Sequence, residues 1–260
     1  MSDVFTLHRG SAPLLVSLPH DGSQIPNGLA ARMTPSARRA PDTDWHVARL
    51  YHFARELGAS ILVPRWSRYV IDLNRGQDDT SLYPGQNTTG LCPIVQFSGE
   101  PVYLPNQQPD VAEVSMRIER YWRPYHDALR SELARLHAAH GRVALWEGHS
   151  IKGSELPFLF EGRLPDLNLG TANGASCSAA LQVKLEGVLA AQSQNDWVAN
   201  GRFKGGHITR HYGEPINGID AVQLETSQRC YMDEATFEFD SGKASALQPL
   251  LQALLRATLE

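Results

Sequence analysis

The sequence predicts an α/β protein in which a sheet of buried strands is covered by helices on both faces. Three observations predict it. Short apolar runs bounded by Gly, Pro and polar residues recur along the chain and alternate with stretches of helical periodicity. Within the runs the apolar residues are nearly continuous, as in strands buried on both sides. The chain has 260 residues, 42% hydrophobic and 20% charged, enough to bury a sizeable core. No repeat, low-complexity tract or linker divides it, so one domain over residues 1–260 is the simplest reading.

The first strand is expected over Leu14–Leu18. A mixed stretch with Pro26, Gly28 and Pro35 follows, and Pro41 marks the boundary before a helix. That helix opens at Asp42-Thr43-Asp44 and carries an apolar stripe of Trp45, Ala48, Tyr51 and Leu57. Ser60–Val63 and Arg68–Leu73 read as two further strands. Residues 76 to 110 are rich in Gly, Pro, Asn, Gln and Thr, and a connection that long is usually a functional loop or a lid. From Val111 the period is helical, with Val114, Ile118, Tyr125, Leu129, Leu133 and Leu136 on one stripe; His126, His137 and His140 around it read as surface or structural histidines. Val143–Trp146 is the next strand, 152–176 an irregular piece and 179–192 a helix. A glycine-rich loop over Gly201–Gly213, a strand over Ala221–Leu224 and a helix over 244–258 complete the chain.

Bulk properties exclude several classes of function. A net charge of −4 and a pI near 6.2 speak against a nucleic-acid surface. No stretch approaches the roughly 18 uncharged apolar residues of a membrane span. Met1-Ser2-Asp3-Val4-Phe5 lacks the basic segment and apolar core of a secretory signal, so a cytoplasmic location is expected. The three cysteines, Cys92, Cys177 and Cys230, are far apart and form no CxxC pair, which argues against a disulfide framework and a thiolate metal site.

Four of the expected strands end on polar residues suited to metal-assisted hydrolysis. They lead to Pro19-His20, to Asn74-Arg75, to Glu147-Gly148-His149 and to Glu225. Open α/β sheets hold their ligands just beyond the carboxyl ends of the strands, so these groups converge if the strands share a sheet. Imidazole and carboxylate oxygen suit zinc, and a catalytic zinc keeps three protein ligands and a water. His20 and His149 are the imidazole candidates, because both lie in short Gly-containing turns after apolar runs. For the third ligand Asp44 is preferred over Asp42, which is the more natural helix cap, and over Asp21, whose neighbour His20 is already engaged. Two neutral imidazoles and one carboxylate leave one Zn²⁺ ion with net positive charge, able to polarise a carbonyl and to lower the pKa of bound water toward about 7. His207 and His211 are rival ligands at HxxxH spacing, but flanking glycines favour a loop and the glutamate of HExxH is missing.

Blocks along nearly the whole chain resemble the N-formylglutamate amidohydrolase family, the deformylases of histidine degradation. Its carriers are Ser17-Leu18-Pro19-His20-Asp21-Gly22, Asp42-Thr43-Asp44-Trp45-His46, Ser67–Arg75, Gly148-His149-Ser150-Ile151, Leu164–Thr171, Asn173–Cys177, Asn200–Gly213 and Val222-Gln223-Leu224-Glu225. The resemblance implies a mixed sheet between helices, similar to zinc carboxypeptidases and aspartoacylase, and supports His20, Asp44 and His149 as the metal set. One departure is Glu147, where the family usually carries Asp. Another is Ser23, which stands where the carboxypeptidase pattern has its acidic ligand.

The chemistry follows from these residues. Glu225 is the expected general base, taking a proton from water and returning it to the leaving amine. Arg68 is assigned to the developing oxyanion. The substrate is expected to be a small dicarboxylate, and the planar fork of arginine grips carboxylates in pairs of hydrogen bonds. Asn74 and Arg75 resemble the carboxylate-binding pair of aspartoacylase, and Asp72, on the same expected strand face, would orient an arginine. The glycine-rich loop offers Lys204, His207, Arg210 and His211 for the distal carboxylate, with His207 and Arg210 preferred. Rival readings are a deacylase of another N-acyl amino acid, a small carboxypeptidase-like hydrolase and a non-catalytic anion-binding protein.

Overall fold

The computed structural model describes residues 3–81, 85, 87–156 and 158–260. Seven strands form one mixed sheet: β1 (Phe5–His8), β2 (Leu14–Ser17), β3 (Ser60–Pro64), β4 (Val143–Ile151), β7 (Leu167–Gly170), β8 (Trp197–Ala199) and β9 (Ile219–Ser227). Their order is β1-β3-β2-β4-β9-β7-β8. The central four, β3, β2, β4 and β9, are mutually parallel, while β1 and β7 run antiparallel to their inner neighbours. A separate hairpin joins β5 (Ser154–Leu156) to β6 (Phe160–Arg163).

Alternate residues of the central strands feed opposite faces, as the pleat requires. Leu14, Val16, Trp146, Val222 and Leu224 enter one core, where they meet α2 (Val47–Leu50), α5 (Ala179–Ala190) and α7 (Ser241–Ala257). Leu15, Val143, Leu145 and Ala221 enter the other, against α4 (Arg123–His140) and α6 (His207–Tyr212). The small helices α1 (Asn27–Ala30) and α3 (Val111–Arg117) also flank this second layer. The expected α/β architecture with helices on both faces is therefore what the chain forms.

Several elements differ from expectation. Arg68–Leu73 is not a strand. Its residues Tyr69, Val70, Ile71 and Leu73 are buried in the second core, but the backbone turns, with Val70 N–H bonded to Ser67 O and Asp72 N–H to Leu91 O. An apolar run specifies burial and leaves open whether a ladder accompanies it. The helix expected from Asp42 shrinks to the single turn α2, because His46 adopts a left-handed φ of 65°, and a 3₁₀ turn over His52–Arg55 follows. Asp42 does not cap it; its Oδ2 accepts Tyr69 O–H and Phe97 N–H instead.

The long helix after Val111 is present, capped by Asp110 and ended by left-handed Gly141, but a π turn over Ile118–Trp122 interrupts it. Pro124 lies two residues beyond it. It lacks the N–H for the usual bond and its ring crowds the carbonyl one turn back, which a widened turn relieves. Within 152–176, expected to be irregular, lie β5, β6 and the sheet strand β7. The glycine-rich segment, expected as a loop, forms α6 from His207 onward.

Candidate active site

The sheet delivers the site. β2 ends three residues before His20, and His149 and Glu225 occupy the last turns of pleat in β4 and β9. His149 and Glu225 are direct ladder partners on these neighbouring parallel strands. Asp44 is tied to the same place through its backbone N–H, which donates to His20 O at 3.1 Å. Gly148 permits the approach, since a Cβ there would lie 2.6 Å from the Leu18 side chain and 3.1 Å from the Tyr51 ring.

His20, Asp44 and His149 are all buried and offer ligand atoms that lie within 4.8 Å of one another. The two Nδ1 atoms face one carboxylate oxygen: Asp44 Oδ2 is 3.1 Å from His149 Nδ1 and 3.7 Å from His20 Nδ1. The outer nitrogens are anchored. His20 Nε2 bonds Asp72 Oδ1 at 2.7 Å, and His149 Nε2 sits 3.3 Å from Glu147 Oε2 and 3.2 Å from Asn74 Nδ2. Outer carboxylates that orient inward-facing imidazoles are the usual support of a metal site. The donor set, two nitrogens and one oxygen, suits zinc. These residues therefore fit the metal that the resemblance implies.

Electrostatics reinforce the arrangement. Burial would raise the Asp44 carboxyl, but hydrogen bonds with His149 and His20 outweigh it and hold it below the usual range. Burial would lower His149, yet Asp44 and Glu147 push it up to about 10. Burial pushes Glu225 up to about 7, with His149 pulling against that rise. Asp72 is held well below the carboxylate range, because Arg68 and His20 outweigh its burial.

Among the described residues, one cavity is lined by His20, Asp44, Arg68, Asp72, Asn74, Arg75, His149 and Glu225, with Asn87–Thr89, Phe97, Ser150, Ile151, Leu159, Arg202, Phe203, Gly206 and Gln223. Seven of the nine site residues read from the sequence thus face one space. Arg68 donates to Asp72 Oδ2 at 2.6 Å, stands 3.9 Å from Asp44 and packs over the Phe97 ring. The Asn74 amide oxygen accepts Ile208 N–H at 2.8 Å.

His207 and Arg210 are not on the wall. The His207 ring stacks on His211 at 5.0 Å, one helical turn along α6, and Arg210 Nε donates to Gly205 O. Burial pushes His207 down to about 4, so it is uncharged at neutral pH. Sequence reasoning gave no site role to Arg202, and it read 76–110 as a functional loop without assigning Phe97 or Asn87–Thr89 to the site. For Arg202 a signal existed, a basic side chain inside Gly201-Arg202-Phe203-Lys204-Gly205-Gly206.

Residues 12–232 match the family model of N-formylglutamate amidohydrolase. The chain belongs to that family. Two N-formylglutamate deformylases, from Pseudomonas putida and Pseudomonas aeruginosa, are each 48% identical to this amidohydrolase over 260 residues, spanning 100% of it and 97% of their own length. The crystal structure of an N-formylglutamate amidohydrolase from Ralstonia eutropha JMP134 superposes with a TM-score of 0.83 at 28% identity, covering 98% of this chain and 96% of that one. A gene product of Agrobacterium tumefaciens shares the fold at a TM-score of 0.73 and 19% identity, covering 98% and 94%. This chain is accordingly an enzyme, an amidohydrolase. No helix among its described residues is long and apolar enough to cross a membrane.

Proposed function

We propose that the protein hydrolyses N-formyl-L-glutamate to formate and L-glutamate, using one Zn²⁺ held by His20, Asp44 and His149. The observation that carries this reading is the meeting of that buried ligand set with Glu225 and arginines on one cavity wall. Among the described lining residues, Arg68, Arg75 and Arg202 bring guanidinium charge to the cavity, which together with a divalent ion suits a dianionic substrate. The names of the Pseudomonas relatives point to the same substrate.

The bound ion supplies Lewis acidity toward the formyl carbonyl and acidifies water near it. Glu225 accepts a proton from the attacking water and delivers it to the amide nitrogen as the C–N bond breaks. Its elevated position, about 7, suits both directions of that transfer. Arg68, fixed by Asp72, faces the oxygen on which negative charge develops. Arg75 and Asn74 hold the α-carboxylate. We read the sheet as the carboxypeptidase and aspartoacylase type, acting as one catalytic domain. The free cysteines suit a reducing compartment such as the cytoplasm, where the reaction would serve histidine degradation.

Formate release from N-formyl-L-glutamate, N-formyl-L-aspartate and N-acetyl-L-glutamate, measured beside metal content, tests the reading. The expected result is preference for the first substrate with about one zinc per chain. Preference for the acetyl compound, or full activity after complete metal removal, would overturn it.

A further inference from the structure

One buried amide on the cavity wall is only half engaged. Gln223 lies on β9 two residues before Glu225, so the two side chains leave the same face of the sheet. In the ladder to β4, Glu225 pairs with His149 and Gln223 with Glu147. Only 4% of Gln223 is exposed, yet it lines the space that holds the candidate ligands.

Its orientation is fixed by a neighbour. Gly206 N–H donates to Gln223 Oε1 at 2.8 Å. A backbone N–H requires an acceptor, so the amide oxygen takes that end and Nε2 takes the other. Neither hydrogen on Nε2 meets a protein acceptor among the described residues. Asn74 repeats the pattern: its Oδ1 accepts Ile208 N–H at 2.8 Å, which leaves Nδ2 3.2 Å from His149 Nε2. The two amides meet at Gly206, where a Cβ would lie 2.3 Å from Asn74 Nδ2. Backbone N–H groups around Gly206 thus tie down both carboxamide oxygens and free the nitrogens to donate elsewhere. A buried donor without an acceptor is costly, and an anionic oxygen entering the cavity would satisfy it.

The substrate brings such an oxygen. Its α-carboxylate is borne by the carbon attached to the amide nitrogen, so it must bind within reach of Glu225. Gln223 is the next residue along that face of β9, and it shares Gly206 with Asn74. A carboxylate offers about four lone-pair sites, more than one guanidinium fork fills.

We propose that Gln223 donates its Nε2–H to the α-carboxylate of the N-formyl amino acid and so selects substrates in which that group is free. This inference rests on the deformylase reading, with its α-carboxylate site at Asn74 and Arg75. The test compares kcat/KM for N-formyl-L-glutamate, its α-carboxamide N-formyl-L-isoglutamine and its side-chain carboxamide N-formyl-L-glutamine. The enzymes are the wild type, Gln223→Met and Gln223→Glu, with zinc content confirming an intact site. Gln223→Glu keeps an oxygen for Gly206 N–H and removes only the donor. The glutamate-to-isoglutamine ratio should fall by roughly tenfold or more in Gln223→Met, the scale of a lost hydrogen bond to a charged group. It should fall further in Gln223→Glu, whose carboxylate repels the α-carboxylate and accepts from the α-carboxamide. The glutamate-to-glutamine ratio should hold in both. Should Gln223→Met lose zinc, Gln223→Glu alone decides. A retained glutamate-to-isoglutamine ratio, or equal loss of all three substrates, would overturn the assignment and leave Gln223 only an anchor for Gly206. Collapse of the glutamate-to-glutamine ratio instead would also overturn it. Wild-type enzyme that releases no formate from N-formyl-L-glutamate would remove the deformylase reading itself.

Discussion

Glu225 and Asp72 both line the cavity with the candidate ligand set and are separable by substitution. Glu225→Gln keeps the shape of the wall but removes the proton acceptor, so zinc should stay bound while kcat falls by roughly 10²–10⁴. Normal turnover in that variant would take Glu225 out of the reaction. Asp72→Asn acts differently, because this carboxylate holds both His20 Nε2 and Arg68 Nη2. Its loss should weaken zinc affinity by roughly 10–100-fold, measured by competition with a chelator; unchanged affinity would mean that His20 needs no such support. The candidate ligands His20 and His149 stand out in the sequence because each lies in a short turn or strand end after an apolar run, and Asp44 as the acid that opens the expected helix beside the cap candidate Asp42. That Asp72 orients an arginine was legible too, and Arg68 is that arginine; its bond to His20 was not, since the expected strand would have sent the side chain along a pleat, whereas the observed turn aims it back at His20.

At the scale of elements, α4 is joined to the site layer through His126, which bonds Leu73 O and Tyr212 O–H and stacks on Trp122 at 3.5 Å. Burial lowers its imidazole to about 3. Between that value and the ordinary 6.5, the unfolded chain takes up a proton that the folded chain refuses. The stability tied to a neutral His126 is thus complete above about pH 6.5 and is lost as pH falls toward 3, on the order of 5 kcal/mol in all. The urea midpoint of the wild type should drop more steeply across this window than that of His126→Gln; parallel slopes would contradict the account. Periodicity revealed α4, composition pointed to α5, a closing helix was expected where α7 lies, and apolar runs revealed β2, β3, β4 and β9. These signals missed β7, whose Leu167-Asn168-Leu169-Gly170 is too short to show a pattern, and α6, where two glycines before His207 resembled a loop. The π turn at Trp122 was likewise hidden, being a response to one proline inside an otherwise regular stripe.

For the molecule as a whole, metal and fold should be linked. In the metal-free protein Asp44 and Glu147 keep a proton on His149 well above its usual range. Zinc must displace it, so uptake should release protons and tighten as pH rises. Calorimetry in buffers of different ionisation enthalpy would detect this, and a pH-independent affinity would argue against His149 as a ligand. At a free zinc concentration about a hundred times Kd, binding adds about 2.7 kcal/mol, visible as a rise in Tm that chelation reverses.

The ladder pairing of His149 with Glu225 has a wider consequence. Adjacent strands lie about 4.8 Å apart as a property of backbone hydrogen bonding, independent of side-chain choice. The candidate ligand and the proposed base are therefore spaced by the scaffold, while Arg202 and Phe97 reach the cavity from irregular connections. Changes confined to those connections could readdress the enzyme to a different acyl donor and leave bond cleavage itself undisturbed, which makes this architecture readily diversified by mutation.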